Sequence, residues 1–283
     1  MDRLPTLFVS HGAPTFALEA GVAGARLGAL GRLLPTPQAV LVVSPHWMTV
    51  EPRVTTSQRP PTIHDFHGFD PALYEIGYPV DGAPRLALQA LDLLRKAGWR
   101  AHTDSERGLD HGAWVPLRHL FPAGEIPVFQ VSLPLRLDPH AAYEFGRTLA
   151  PLAEEGVLIV GSGSLTHNLR EFRTECTEVQ AYVLEFAHWI GNAVRTGDHA
   201  RLTEALSLAP HAARAHPTAE HYLPLLVAAG AAEPASPASV IEGGVRYGVL
   251  SMDSFVFGSD SGAMVAGMEA SLPSIRSATA RPQ

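Results

Sequence analysis

Three stretches of the chain run apolar without alternation, stop on Ser or Gly, and carry a histidine just beyond. Thr6-Leu7-Phe8-Val9-Ser10 is followed by His11-Gly12. Ala39-Val40-Leu41-Val42-Val43-Ser44 is followed by Pro45-His46-Trp47. Val157-Leu158-Ile159-Val160-Gly161 is followed by Ser162-Gly163-Ser164-Leu165-Thr166-His167-Asn168. Uninterrupted, β-branched runs suit strands buried on both faces, as in a mostly parallel sheet. In open α/β sheets the ligand crevice lies outside the carboxyl ends of the strands. Histidines at three equivalent strand ends predict one pocket, and converging imidazoles predict a metal in it.

The remaining pattern supplies the helices of such a fold. Gly, Ala and Leu over 15–35 predict a short helix. Leu86, Ala90, Leu91, Leu94 and Ala97 keep helical spacing over 84–97, opened by Pro84 and ended by Gly98. Helices are also expected at about 139–155 and at about 177–195, where Val179, Tyr182, Val183, Phe186, Ile190 and Val194 form one face. Asp198 is placed to cap a shorter helix. Thr218 is placed as the N-cap of a helix that starts at Ala219-Glu220-His221-Tyr222-Leu223-Pro224 and ends at Gly230. Further strands are expected at 5–10, 39–44, 126–133, 157–161, about 245–251 and 254–257. Residues 108–117 read as loop followed by a short helical turn. Residues 51–83 are rich in Pro, Gly and aromatics without periodicity, and long irregular loops in compact domains usually carry function. The tail after about 272 reads as frayed. No repeat or linker interrupts the pattern, so 1–283 reads as a single α/β domain. Its mostly parallel central sheet is flanked by helices, its core is about 5–258, and the metal site lies at the strand C-terminal ends.

Composition narrows the function. The 283 residues are 46% hydrophobic and 17% charged, an ordinary globular balance. Net charge is −7, no basic run exists, and Lys96 is the only lysine, so neither nucleic acid nor an anionic membrane is expected as a partner. Cys176 is the single cysteine, which excludes an intrachain disulfide and a thiolate zinc site. No basic n-region precedes an apolar core and no apolar run reaches ~18 residues, so a cytoplasmic location is the expectation. Nothing in the composition decides for or against a homo-oligomer. Histidine is the unusual count, 14 against 21 Lys plus Arg.

His11 and His46 follow buried strands directly and read as metal ligands. His167 follows a Gly-Ser-Gly loop and reads as a ligand or an acid/base, with Thr166 and Asn168 placed to hydrogen-bond around its ring. The turn holding Glu220 and His221 is the natural source of a third ligand. His111, beside Asp110, suits a substrate contact that Asp110 orients. His64 and His67 sit in the long loop, while His102, His119, His140, His188, His199 and His211 read as solvated. Gly161-Ser162-Gly163-Ser164 lacks the spacing of a nucleophile elbow, and neither a Walker motif nor Gly-x-Gly-x-x-Gly occurs.

These motifs resemble a known family. Ser10-His11-Gly12-Ala13-Pro14, Ser44-Pro45-His46-Trp47, Leu109-Asp110-His111-Gly112-Ala113-Trp114-Val115-Pro116-Leu117, Gly161-Ser162-Gly163 with Thr166-His167-Asn168, and Pro217-Thr218-Ala219-Glu220-His221-Tyr222-Leu223-Pro224-Leu225 are similar to the class III extradiol ring-cleavage dioxygenases (LigB-like), in the 4,5-DOPA dioxygenase-type branch. The resemblance spans about 5–258. It implies a mononuclear non-haem metal, Fe(II) or in some structures zinc, and insertion of both atoms of O2 into a catechol. It further implies His11 and His46 as ligands, His221 in preference to Glu220 as the third, His111 as a substrate contact, and His167 as acid/base or further ligand. Phe66, Phe69, Tyr74 and Tyr78 are then expected to wall the aromatic ring. Two other readings compete: a zinc-dependent hydrolase on the same histidines, and a non-catalytic metal-binding relative.

Overall fold

The computed structural model describes residues 3–272, and the tail expected after about 272 lies outside them. Its centre is a six-stranded sheet built from β1 (Thr6–Ser10), β2 (Ala39–Val43), β3 (Val128–Gln130), β4 (Val157–Gly163), β5 (Ala238–Ile241) and β6 (Ser254–Phe257). The spatial order is β3-β2-β4-β1-β6-β5. β1, β2, β3 and β4 run parallel, in register Thr6 to Ile159, Ala39 to Val157 and Val40 to Val128. β6 adds to β1 antiparallel, Thr6 opposite Phe257, and β5 continues antiparallel. Every residue of β1, β2 and β4 is buried, which is why their sequences show no alternation.

The hidden alternation appears in what each side packs against. Leu7, Val9, Val40, Val42, Leu158 and Val160 face α1 (Gly21–Gly31), α3 (His111–Leu120) and α7 (Ser261–Ser271). Phe8, Leu41, Val43, Phe129 and Ile159 face α2 (Pro84–Lys96), α4 (Pro139–Leu149), α5 (Ala181–Arg195) and α6 (Leu223–Ala231). Helices thus cover both faces, as a parallel sheet requires. Among the described residues no helix is long and apolar enough to cross a membrane.

Several expected elements differ in extent. The helix expected over 139–155 stops at Leu149 and continues as a 3-10 turn, Ala150–Ala153, because Pro151 has no amide to donate. The helix expected from 177 begins at Ala181 and leaves Val179 exposed. Asp198 does cap a short helix, His199–Thr203, accepting the Arg201 amide. The 51–83 stretch contains a short strand, Arg53–Thr55, paired with His102–Asp104, and a 3-10 turn, Pro71–Glu75. β5 and α7 carry no expected counterpart. Only short bridges, Val245–Arg246 with Leu250–Ser251, occupy the strand expected at 245–251.

Two differences bear on the site. Residues 111–120 are a full helix, α3, with Pro116 inside it. The helix after Thr218 starts at Leu223 rather than 219, with Pro224 in its first turn. Thr218 does not cap it; its hydroxyl donates to Glu220. His221 therefore stands in the turn before α6.

Candidate metal centre

β1, β2 and β4 are neighbours and parallel, so the segments leaving their C-terminal ends meet at one edge. His11 leaves β1 directly and His46 follows β2 by three residues. Their Nε2 atoms are 3.1 Å apart. His221 joins them: one donor nitrogen from each of the three lies within 4.8 Å of the others. Two nitrogens bound at ~2.0–2.1 Å to one tetrahedral ion would be ~3.3 Å apart, so the spacing fits a shared cation.

For His11 and His221 the neighbouring groups fix which nitrogen is free. Pro116 cannot donate to the carbonyl of Gly112, four residues back, as a helical amide would. That carbonyl instead accepts the Ser162 hydroxyl proton. Having spent its proton, Ser162 Oγ must accept from His11 Nδ1, 2.9 Å away. His11 Nε2 is left with its lone pair. Glu220 Oε1 lies 3.2 Å from His221 Nδ1 and accepts from it, so His221 Nε2 also carries a lone pair. That Nε2 is buried with no hydrogen-bond partner among the described residues. A buried, unpartnered nitrogen grouped with two other imidazoles fits a donor set for a cation.

Electrostatics favour neutral rings. Burial, then the neighbouring histidines, pushes His11 and His221 well below the ordinary imidazole range. Burial, reinforced by His111 and opposed by Asp110 and Asp65, lowers His46 to about 4. Neutral imidazole is the form that ligates.

His46 is held by its backbone. Its amide donates to Ser44 Oγ at 3.2 Å and its carbonyl accepts from Arg107 at 3.1 Å. Ser44 donates to the fully buried Asp110, which also accepts from Gln130 and lies 3.5 Å from Arg107. Asp110 therefore supports the His46 turn and does not orient His111, as the sequence suggested. The carboxylate that faces His111 is Asp65, which bonds its backbone amide. Its Oδ1 accepts the backbone amide of His111, the first of α3, at 2.9 Å and lies 3.1 Å from His111 Nδ1; Oδ2 is 3.8 Å from His46 Nδ1. Burial alone would raise the Asp65 carboxyl, but His111 and His46 outweigh it and hold it at about 2.

His111 lies beside the trio, its ring centroid 4.0 Å from that of His46. His167 lies flat on His221, centroids 3.4 Å apart and planes 10° from parallel. Burial, opposed by Glu220, lowers His167 to about 4. Its neighbours do not brace its ring: Thr166 donates to Val249 O and Asn168 bonds Glu171 and Arg170. Nor is Gly161-Ser162-Gly163 a loop. It belongs to β4, and the glycines admit close backbone: a Cβ on Gly161 would fall 2.0 Å from Pro224 O, and one on Gly163 2.3 Å from His221 O. Gly163→Ala should therefore displace His221, costing ~1–3 kcal/mol by overpacking and weakening metal binding; denaturant melts and a chelator titration would show it, and unchanged values in both would refute it.

Of the aromatics expected to wall a substrate, Phe66 approaches the site, 5.7 Å from His111, and packs with Phe69 and Tyr74. Tyr78 instead is buried, its hydroxyl donating to Leu117 O and Phe121 O at the end of α3. His64 donates to Ile76 O and His67 is exposed; neither joins the cluster. His119 and His199, expected to be solvated, are half-buried, His119 donating to Phe16 O. Sequence reasoning missed Asp65, Ser162 and His216. His216 is buried beside the site, donating to Leu165 O, and its place before Pro217, where helical backbone is disfavoured, was the signal.

Residues 30–258 match the family described as the catalytic LigB subunit of aromatic ring-opening dioxygenase. The chain is 39% identical over 256 residues to a Beta vulgaris protein named 4,5-DOPA dioxygenase extradiol, covering 89% of this chain and 96% of that one. It is 38% identical over 270 residues to the protein of that name in Escherichia coli K12, covering 90% and 95%. A crystal structure of an uncharacterized Escherichia coli K12 protein superposes with a TM-score of 0.76 at 33% identity, over 90% of this chain and 100% of the other.

Proposed function

The chain belongs to the LigB family of aromatic ring-opening dioxygenases, and we propose that it cleaves a catechol of the DOPA type at a single Fe(II) held by His11, His46 and His221. The observation that carries this reading is the convergence of three neutral imidazoles, with the free nitrogens of His11 and His221 set by Ser162 and Glu220. The donor set accepts zinc as well, but ring opening needs a redox metal. When bound, Fe(II) supplies Lewis acidity toward the diol and one-electron reach toward O2, which no side chain offers.

The chain's own residues do the rest. His167, stacked over His221 and neutral, takes a proton from the diol and returns it during ring opening. His111, its backbone amide held by Asp65, meets a substrate oxygen. Phe66 backs His111 with an apolar surface that keeps water from the ring. Glu220 stands with the far nitrogen of His221 rather than in the His11–His46 group, which favours His221 as the third ligand. The product is a muconic semialdehyde carrying both oxygen atoms.

The test is an oxygen-electrode screen of anaerobically Fe(II)-loaded protein against catechols, DOPA included. Uptake of one O2 per catechol with a yellow product is expected. No uptake with any catechol, together with ester hydrolysis by the zinc form, would refute the reading. His111→Phe should raise KM or lower kcat and leave metal content near one per chain. Loss of the metal in that variant would make His111 a ligand or its support instead.

A further inference from the structure

Glu220 has a place in the cluster that neither a ligand nor a surface carboxylate explains. Its Oε1 receives two protons, from Thr218 Oγ1 at 2.9 Å and from His221 Nδ1 at 3.2 Å. Its side chain is 27% exposed, where that of His221 is 7% exposed. The carboxylate is thus the more exposed partner of the pair. Its donor oxygen lies within 4.8 Å of those of His167 and His221, but it does not group with His11 and His46.

We propose that Glu220 is a positioning residue: it holds the proton on His221 Nδ1 and so keeps Nε2 as a bare, fixed donor for the metal. This rests on the metal-site reading above. A neutral imidazole carries one proton, and among the described residues Glu220 is the hydrogen-bond partner of Nδ1 that decides where it goes. Without the acceptor the proton partitions to either nitrogen, and the ring is free to turn about its Cβ–Cγ bond. The carboxylate, being anionic, also makes the far nitrogen more basic. Thr218 keeps the carboxylate in place, and the stacked His167 lies on the ring it fixes. His11 has a neutral counterpart in Ser162, so the Nδ1 atoms of these two ligands are held by different partners, a hydroxyl for His11 and a carboxylate for His221.

The test is metal affinity, measured without turnover. Wild type, Glu220→Ala, Glu220→Gln and His221→Ala are stripped of metal and titrated with Zn(II) against a chromogenic chelator, and with Co(II) by its visible bands. Glu220→Ala should bind ~10–100-fold more weakly, the usual cost of losing an outer partner of a metal histidine. The melting temperature of its metal-free form should match wild type. Glu220→Gln keeps an acceptor oxygen and should lie closer to wild type than to the alanine variant. Wild-type affinity in Glu220→Ala would overturn the proposal. So would loss as complete as that of His221→Ala in both Glu220 variants, since Glu220 would then be a ligand itself. If His221→Ala keeps full affinity, the site reading fails and this role falls with it; if His221→Ala loses the metal and Glu220→Ala does not, only this role fails.

Discussion

His11→Ala is expected to yield a folded protein that holds no metal and opens no ring. His11 sits directly at the end of β1, buried, with its Nδ1 tied to Ser162 and its Nε2 3.1 Å from that of His46. Removing it takes away one of the three expected bonds to the ion and a ring that β1 carries and β4 holds through Ser162. The loss should exceed the ~10–100-fold that follows from deleting an outer partner. The fold should survive, because the sheet ladder and both apolar faces are untouched and the cavity is one imidazole at the rim. Elemental analysis and chelator titration would check the first point, and thermal melting of the metal-free forms the second. One metal per chain at near wild-type affinity would contradict it.

His167→Ala should behave in the opposite way. The metal stays, because His167 does not group with His11 and His46 but lies 3.4 Å above His221 as a stacked ring. Turnover should fall ~10²–10⁴-fold, the usual value of a positioned proton-transfer group, with KM changed far less. Added imidazole should restore part of the rate by occupying the vacated space. A His167→Ala protein that loses its metal would place His167 among the ligands, and one with unchanged kcat would remove it from the chemistry.

The sequence showed the strands and the histidines that follow them, because burial on both faces leaves no freedom in composition and the strand-end rule then points at His11 and His46. The layout of the centre was less legible, for identifiable reasons. α3 contains Gly112 and Pro116, which argue locally against a helix; the missing amide bond is compensated from another strand, by Ser162. Asp65 belongs to an aperiodic loop, so no spacing rule connects it with His111, 46 residues away. Gly161 and Gly163 look like a flexible loop and are strand residues made small by the backbone of the first turn of α6 and of the His221 turn before it. β5 is short, and α7 mixes small residues with a few apolar ones and buries only Ser261 and Met268, so neither has a pattern to read.

Anomalous diffraction at the iron and zinc edges from crystals of metal-loaded protein tests the central claim most directly. The account predicts one peak per chain, ~2.0–2.2 Å from Nε2 of His11, His46 and His221, with His167 and Glu220 outside bonding distance. A peak away from His11 and His46, or one bonded to a His167 nitrogen or a Glu220 oxygen, would contradict it.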